Sequence, residues 1–141
     1  MLPPIILSIA GSDCSGGAGI QADIKTISAL GGYAASVITA VTAQNTLGVQ
    51  SVYPIPADMV KAQITSVMDD LRPDAVKIGM VHDASIVTAI VDCLQTYTLE
   101  CIVYDPVMIS TSGRRLMTEE TIQVIKGGTV SAMHPHYSQP E

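Results

Sequence analysis

Apolar residues run along this chain in two rhythms that alternate. Residues 5–10 (IILSIA) and 33–42 (YAASVITAVT) are apolar at nearly every position, the mark of strands buried on both faces. Residues 75–80 (AVKIGM) and 101–104 (CIVY) read the same way. Between them the period is helical. Ile20, Ile24, Ile27 and Leu30 share a stripe that Gly31-Gly32 closes. Val60, Ile64, Val67, Met68 and Leu71 form a second stripe, with Asp58 as its predicted cap and Arg72-Pro73 as its stop. Ile86, Val87, Ile90, Val91 and Leu94 form a third behind Asp83, and Thr118 predicts a last short helix with Glu119 and Glu120 in its first turn. Met117 and Ile122 stand where a hydrophobic staple would put them. Residues 43–49 (AQNTLGV) predict a loop leaving the second strand. The prolines in 52–56 (VYPIP) confine that extended piece to an edge or a connector.

Strand and helix therefore alternate, which predicts an α/β fold of three layers, a mostly parallel sheet with helices on both faces and right-handed crossovers. In such sheets ligands bind beyond the carboxyl ends of the strands. That rule selects residues 11–19, 42–45, 79–82 and 105–113 as one neighbourhood, and all four stretches are polar or glycine-rich. From Lys126 the pattern breaks into KGGTVSAMHPHYSQPE, which predicts a loose tail or a short extension. The expected organisation is one domain part over residues 1–125 and a divergent tail over 126–141.

Composition narrows the class. The 141 residues are 48% hydrophobic with no Phe or Trp, which suits a helix-covered parallel sheet better than a β-sandwich. A net charge of −6 with scattered Lys and Arg predicts no nucleic-acid surface. No apolar run approaches membrane-spanning length and no secretory leader is legible, so a cytoplasmic protein with no membrane partner is expected. Cys14, Cys93 and Cys101 are an odd count without metal-ligand spacing and read as reduced thiols.

The chemistry centres on Gly11-Ser-Asp-Cys-Ser-Gly-Gly-Ala-Gly19, which joins the first strand to the first helix. Such a turn is expected to put backbone N–H groups and the positive end of a helix dipole beside a ligand. It lacks the Gly-Lys-Ser/Thr of a P-loop. Gly17-x-Gly19-x-x-Ala22 matches a loose dinucleotide fingerprint, but no acid follows the second strand to hold a ribose. Asp23 reads either as a charge favoured near the helix start or as a ligand contact. Gln44 reads either as a loop-capping amide or as a donor–acceptor pair matched to an aminopyrimidine edge. Asp105 ends a strand, where a carboxylate either caps or holds a metal or phosphate. Residues 110–113 (STSG) beside it either contact phosphate or form a turn. Met80 and Val107 line the predicted pocket or serve as plain core. Cys14 has no evident base partner, and His134 with His136 makes no specific metal site.

Residues 10–26 (AGSDCSGGAGIQADIKT), 39–46 (TAVTAQNT), 77–80 (KIGM) and 105–108 (DPVM) together resemble the hydroxymethylpyrimidine/phosphomethylpyrimidine kinases of thiamine biosynthesis. Cys14 stands where that loop usually carries Ser or Pro. The resemblance runs from Ile5 to Ile125 and implies a ribokinase-like fold. It also implies two successive phosphorylations of 4-amino-5-hydroxymethyl-2-methylpyrimidine, dependent on ATP and Mg2+. It implies that Gln44 reads the pyrimidine, with Gly11, Asp23, Thr42, Met80 and Val107 around it, and that Asp105 lies toward phosphate and metal. Thr42 is more polar than the valine some members carry. Homodimers are common in the resembled family. Its members continue beyond Ile125 with the anion hole, the catalytic Cys and most of the ATP site. The catalytic residues are therefore expected in a C-terminal half missing here, the chain is expected to be a truncated product with impaired transfer, and a non-catalytic pyrimidine-binding fragment or partner subunit is the alternative. A sheet ending after its fourth main strand predicts an unpaired apolar edge. A pyridoxal-type ring alcohol is a second substrate reading, which the surroundings of Gln44 disfavour.

Overall fold

The computed structural model describes residues 2–81, 84–99, 101–105 and 131–132. The elements are β1 (Ile5–Asp13), α1 (Gly19–Ala29), β2 (Tyr33–Asn45), β3 (Gly48–Pro54), α2 (Ala57–Asp70), β4 (Ala75–Ile78), α3 (Ala84–Gln95), β5 (Ile102–Tyr104) and β6 (Ser131–Ala132). They build one six-stranded sheet in the order β3-β2-β1-β4-β5-β6. All neighbours are parallel except β2 and β3, which form an antiparallel hairpin.

Side-chain alternation along β1 explains the layers. Leu7 and Ile9 are fully buried against a core that includes Val60 and Ile64 of α2 and Ile86 and Ile90 of α3. Ser8, between them, points to the other face, where its hydroxyl donates to Asp23 of α1 at 2.7 Å. Helix α1 thus covers one face while α2 and α3 cover the opposite one. The two end signals in the sequence work as mechanics predicts. Gly31, at φ 90°, donates to Ser28 O (3.1 Å) and Gly32 donates to Ile27 O (2.9 Å), the paired bonds of a Schellman stop. Arg72 ends α2 at φ 51°, a left-handed conformation, just before Pro73.

Four expectations are corrected. The stretch read as a loop after the second strand is strand to Asn45 and then a tight hairpin, because the extended 52–56 piece begins earlier and pairs back, Thr42 with Val52 and Asn45 with Gly48. Asp58 is not the α2 cap. Pro56 occupies that position and Asp58 lies in the first turn, favoured there by the dipole. The third main strand stops at Ile78, after which the chain reaches toward β2 and Met80 O accepts the Thr39 hydroxyl proton at 2.7 Å. Finally, β5 is not the sheet's last strand, since Ser131 and Ala132 pair with Val103 and Tyr104. The helix predicted from Thr118 and the Asp83 cap lie outside the described residues.

The outer side of β2 is completed in an unusual way. The hairpin covers only its distal half. At Ile38 the carboxamide of Gln63 on α2 accepts from the backbone N–H (3.0 Å) and donates to the backbone C=O (3.0 Å), as a neighbouring strand would.

Candidate functional site

The glycine-rich connection is shorter than the sequence suggests, because β1 continues to Asp13 and α1 opens at Gly19. Its organiser is Asp13, a residue to which the sequence reading assigned no role. One carboxylate oxygen accepts from Ser15 N–H (2.9 Å) and Ser15 Oγ (2.7 Å), and the other from Gly17 N–H (3.0 Å) and Ala18 N–H (2.8 Å). Gly16 N–H goes to Asp13 O at 3.0 Å. Burial raises the Asp13 carboxyl and these bonds from Ser15, Ala18 and Gly17 outweigh it, so the group is held below the ordinary carboxylate range. The N–H groups of Ser15, Gly17 and Ala18 are thereby turned onto the loop's own carboxylate. An internal carboxylate already occupies them, and it also caps α1, whose own N-cap residue Ala18 has no side chain to do so. A signal was present in the sequence, since an Asp two residues before Ser and four before Gly is a common turn-capping arrangement.

Close approach makes Gly19 obligatory and leaves Gly11 in tight contact with a movable side chain. A Cβ on Gly19, which sits at φ 57°, would strike the Gly11 carbonyl, and one on Gly11 would strike the Met80 methyl. Gln21 ties the same turn down by accepting Asp13 N–H and donating to Ser12 Oγ, both at 2.8 Å. Across the rim stands Gln44, half-buried on β2. Its backbone N–H donates to Cys14 Sγ (3.4 Å) and its carbonyl accepts the Cys14 thiol proton (3.2 Å). Buried Thr42 has its hydroxyl 2.7 Å from Ser12 O and 2.7 Å from Gln44 Oε1. Gly11, Thr42, Gln44 and Met80 are therefore one constellation at the carboxyl ends of β1, β2 and β4. Ala40, Met80 and Val52 supply its small apolar floor.

Asp23 is engaged from below, by β1 and β4. It is on the second turn of α1, and its carboxylate is held by Ser8 Oγ (2.7 Å) and by Lys77 Nζ at 2.9 and 3.1 Å, a largely enclosed ion pair against the middle of the sheet. Lys77, which the sequence reading noted only as part of a motif, is thus the partner that fixes α1. Asp105 follows β5, its N–H bonded to Ile78 O at 2.9 Å, and its charge, after burial, helps push the Tyr104 phenol upward. Val107 and residues 110–113 lie outside the described residues. Among the described residues no three His, Cys, Asp or Glu side chains gather as a metal site. No described helix is long and apolar enough to cross a membrane.

A sheet covered on both faces, with its polar residues gathered where parallel strands end, is a three-layer α/β arrangement, and its structural neighbours make the class ribokinase-like. The same architecture is found in phosphomethylpyrimidine kinase from Clostridium difficile 630, which superposes with a TM-score of 0.80 at 52% identity over 85% of this chain and 52% of that one. Pyridoxal kinase from Staphylococcus aureus superposes at 0.70 with 32% identity, over 79% of this chain and 41% of that one. Within this class, residues 13–133 match the phosphomethylpyrimidine kinase family, and the chain belongs to it. The hydroxymethylpyrimidine/phosphomethylpyrimidine kinase of Escherichia coli strain K12 is 52% identical over 120 residues, 85% of this chain and 45% of the relative. The chain thus spans about half the length, or less, of these relatives.

Proposed function

We propose that this chain carries the pyrimidine-recognition part of a kinase that phosphorylates 4-amino-5-hydroxymethyl-2-methylpyrimidine and its monophosphate. The observation that carries the reading is the placement of Gln44 beside the Ser12–Cys14 turn, with Gly11 and Met80 completing the rim. A carboxamide there offers an acceptor and a donor side by side to an aminopyrimidine edge. Met80 supplies an apolar surface for the ring, and Val107 belongs to the same proposal through its motif. Asp23 serves this pocket by anchoring α1 through Lys77. ATP and Mg2+ enter the proposal through family kinship. The glycine turn does not fit a triphosphate, since Asp13 fills its amides and would repel phosphate charge. Asp105 is the one carboxylate here assigned to the metal side. We derive no phosphoryl-transfer step from these residues.

That filled turn favours one second reading, a pyrimidine-binding module whose phosphate-stabilising groups come from another polypeptide. The two are separated by a coupled ATP-turnover assay on the purified chain with saturating pyrimidine alcohol, alongside calorimetric titration without ATP. Binding with turnover supports the kinase, binding without turnover supports the module, and no heat removes both. Gln44→Leu is expected to abolish the binding heat while leaving the unfolding transition in place. Unchanged affinity would take Gln44 out of the site.

A further inference from the structure

The Thr42 hydroxyl stands at 2.7 Å from two oxygens, the Ser12 carbonyl and the assigned Oε1 of Gln44. A hydroxyl has one proton to donate, and a carbonyl oxygen can only accept. Two oxygens at that distance with no proton between them repel. The Ser12 carbonyl belongs to the strand backbone and cannot turn, whereas the two ends of a carboxamide are nearly isosteric and exchange by rotation about one bond. The arrangement that satisfies every group has Thr42 donating to Ser12 O and accepting from Gln44 Nε2–H. Thr42 is buried, and the Gln44 backbone is held on both its N–H and its C=O by Cys14, which keeps the carboxamide beside the Thr42 hydroxyl.

We infer that Thr42 is a positioning residue that locks the Gln44 carboxamide in one orientation and thereby makes the pocket select a 4-amino over a 4-oxo pyrimidine. This rests on the pyrimidine reading of the site. With Nε2 held toward Thr42, Gln44 presents Oε1 and one remaining N–H at fixed positions. A 4-amino edge, with an exocyclic donor beside a ring-nitrogen acceptor, meets them in register. A 4-oxo edge has the two roles reversed, an exocyclic acceptor beside a ring N–H. Reading it requires the amide to turn over, which returns an oxygen to Thr42 and pulls the hydroxyl proton off the Ser12 carbonyl. One buried polar group is then left unpaired, a penalty that corresponds to about tenfold or more in affinity.

The experiment has two readouts on the full chain. First, with no ligand, 15N-edited NMR of the Gln44 side-chain amide reads the orientation. Nuclear Overhauser contacts from its Nε2 protons to Thr42 are expected, and their absence overturns the inference directly. Second, calorimetric titration compares 4-amino-5-hydroxymethyl-2-methylpyrimidine with its 4-oxo counterpart. The wild-type chain is expected to favour the amino compound by about tenfold or more. Thr42→Val, similar in volume, is expected to bring the two affinities within about threefold by releasing the amide, and Thr42→Ser to restore the preference. A Thr42→Val chain that unfolds cooperatively and keeps the wild-type ratio overturns the inference and leaves the pyrimidine reading standing. If the NMR contacts are present and neither pyrimidine binds the wild-type chain, the pyrimidine reading fails, and the selectivity with it. If Thr42→Val does not fold, Thr42→Ser decides: loss of the preference there, with the fold intact, also overturns it.

Discussion

Replacing Asp13 by Ala removes the acceptor for Ser15 N–H, Ser15 Oγ, Gly17 N–H and Ala18 N–H at once. A lost helix cap costs about 0.5–2 kcal/mol, and each hydrogen bond to a charged group contributes about 1.5–3 kcal/mol when isolated. Those figures do not add, because Ser15, Gly17 and Ala18 are exposed and water can replace part of what is lost. A loss of about 2–3 kcal/mol follows, or about 8–10 °C in Tm for a chain of this size. Asp13→Asn keeps one oxygen for Ser15 but turns an amide nitrogen toward Gly17 and Ala18, so about half that loss is expected. The sign with pH follows from the lowered Asp13 carboxyl. A carboxyl depressed on folding contributes its full stability above the unfolded value of about 4, and loses it as pH falls through the folded value. Urea unfolding of wild type and Asp13→Asn should therefore differ by a constant amount between about pH 5 and 8 and converge below about pH 4. Thermal shift with inorganic phosphate gives an orthogonal readout. Asp13→Ala leaves the turn's amides open to an anion and should be stabilised by phosphate, whereas wild type should not. A difference below about 0.5 kcal/mol, or one that persists unchanged into acid, would refute the idea that this carboxylate holds the turn.

Three further outcomes follow from the packing. Gly19→Ala meets backbone and holds a positive φ, so it should cost about 3 kcal/mol, whereas Gly11→Ala meets only the flexible tip of Met80 and should cost about 1 kcal/mol while weakening pyrimidine binding; chemical denaturation giving the reverse order would contradict the close-approach assignment. A double-mutant cycle with Asp23→Asn and Lys77→Met should give a coupling of about 1 kcal/mol, moderated because both side chains keep about a fifth of their surface in water, and a coupling near zero would remove the pair as the α1 anchor. Arg72→Gly relieves the left-handed residue ending α2 and should raise stability by about 0.5–1 kcal/mol in the same assay, with a decrease counting against strain there.

Much of this architecture was legible before coordinates because local rules and the global fold agree. Runs apolar at nearly every position became the parallel strands, and Gly31-Gly32 stopped α1 by the bonds that glycine permits. The hairpin was misread because Ala43, Gln44 and Asn45 are polar or small. Their strand character comes from pairing with residues 48–51, a tertiary effect that propensity does not carry. The rim residues Gly11, Thr42, Gln44 and Met80 were found because strand ends converge in this topology. Asp13 was passed over although its spacing to Ser15 and Gly17 is a turn-capping signal, because the four donors it gathers become apparent only once the turn has curled. The partner of Asp23 was missed because helix position alone does not reveal that Lys77, distant in sequence, reaches its carboxylate.

The Gln63 carboxamide at Ile38 has a kinetic consequence for the rim. Beyond it, Ile55 N–H donates to Thr39 O at 2.9 Å, and the hairpin starts immediately after. An outer strand that frays from its turn would thus unzip as far as Thr39 and halt, because the next bonds belong to a helix side chain and not to the departing backbone. Gln44 sits on the side of that stop that can open, and the central strands on the side that cannot. Peeling of β3 can then occur without disturbing the central strands, with amide exchange fast across residues 48–54 and slow across β1.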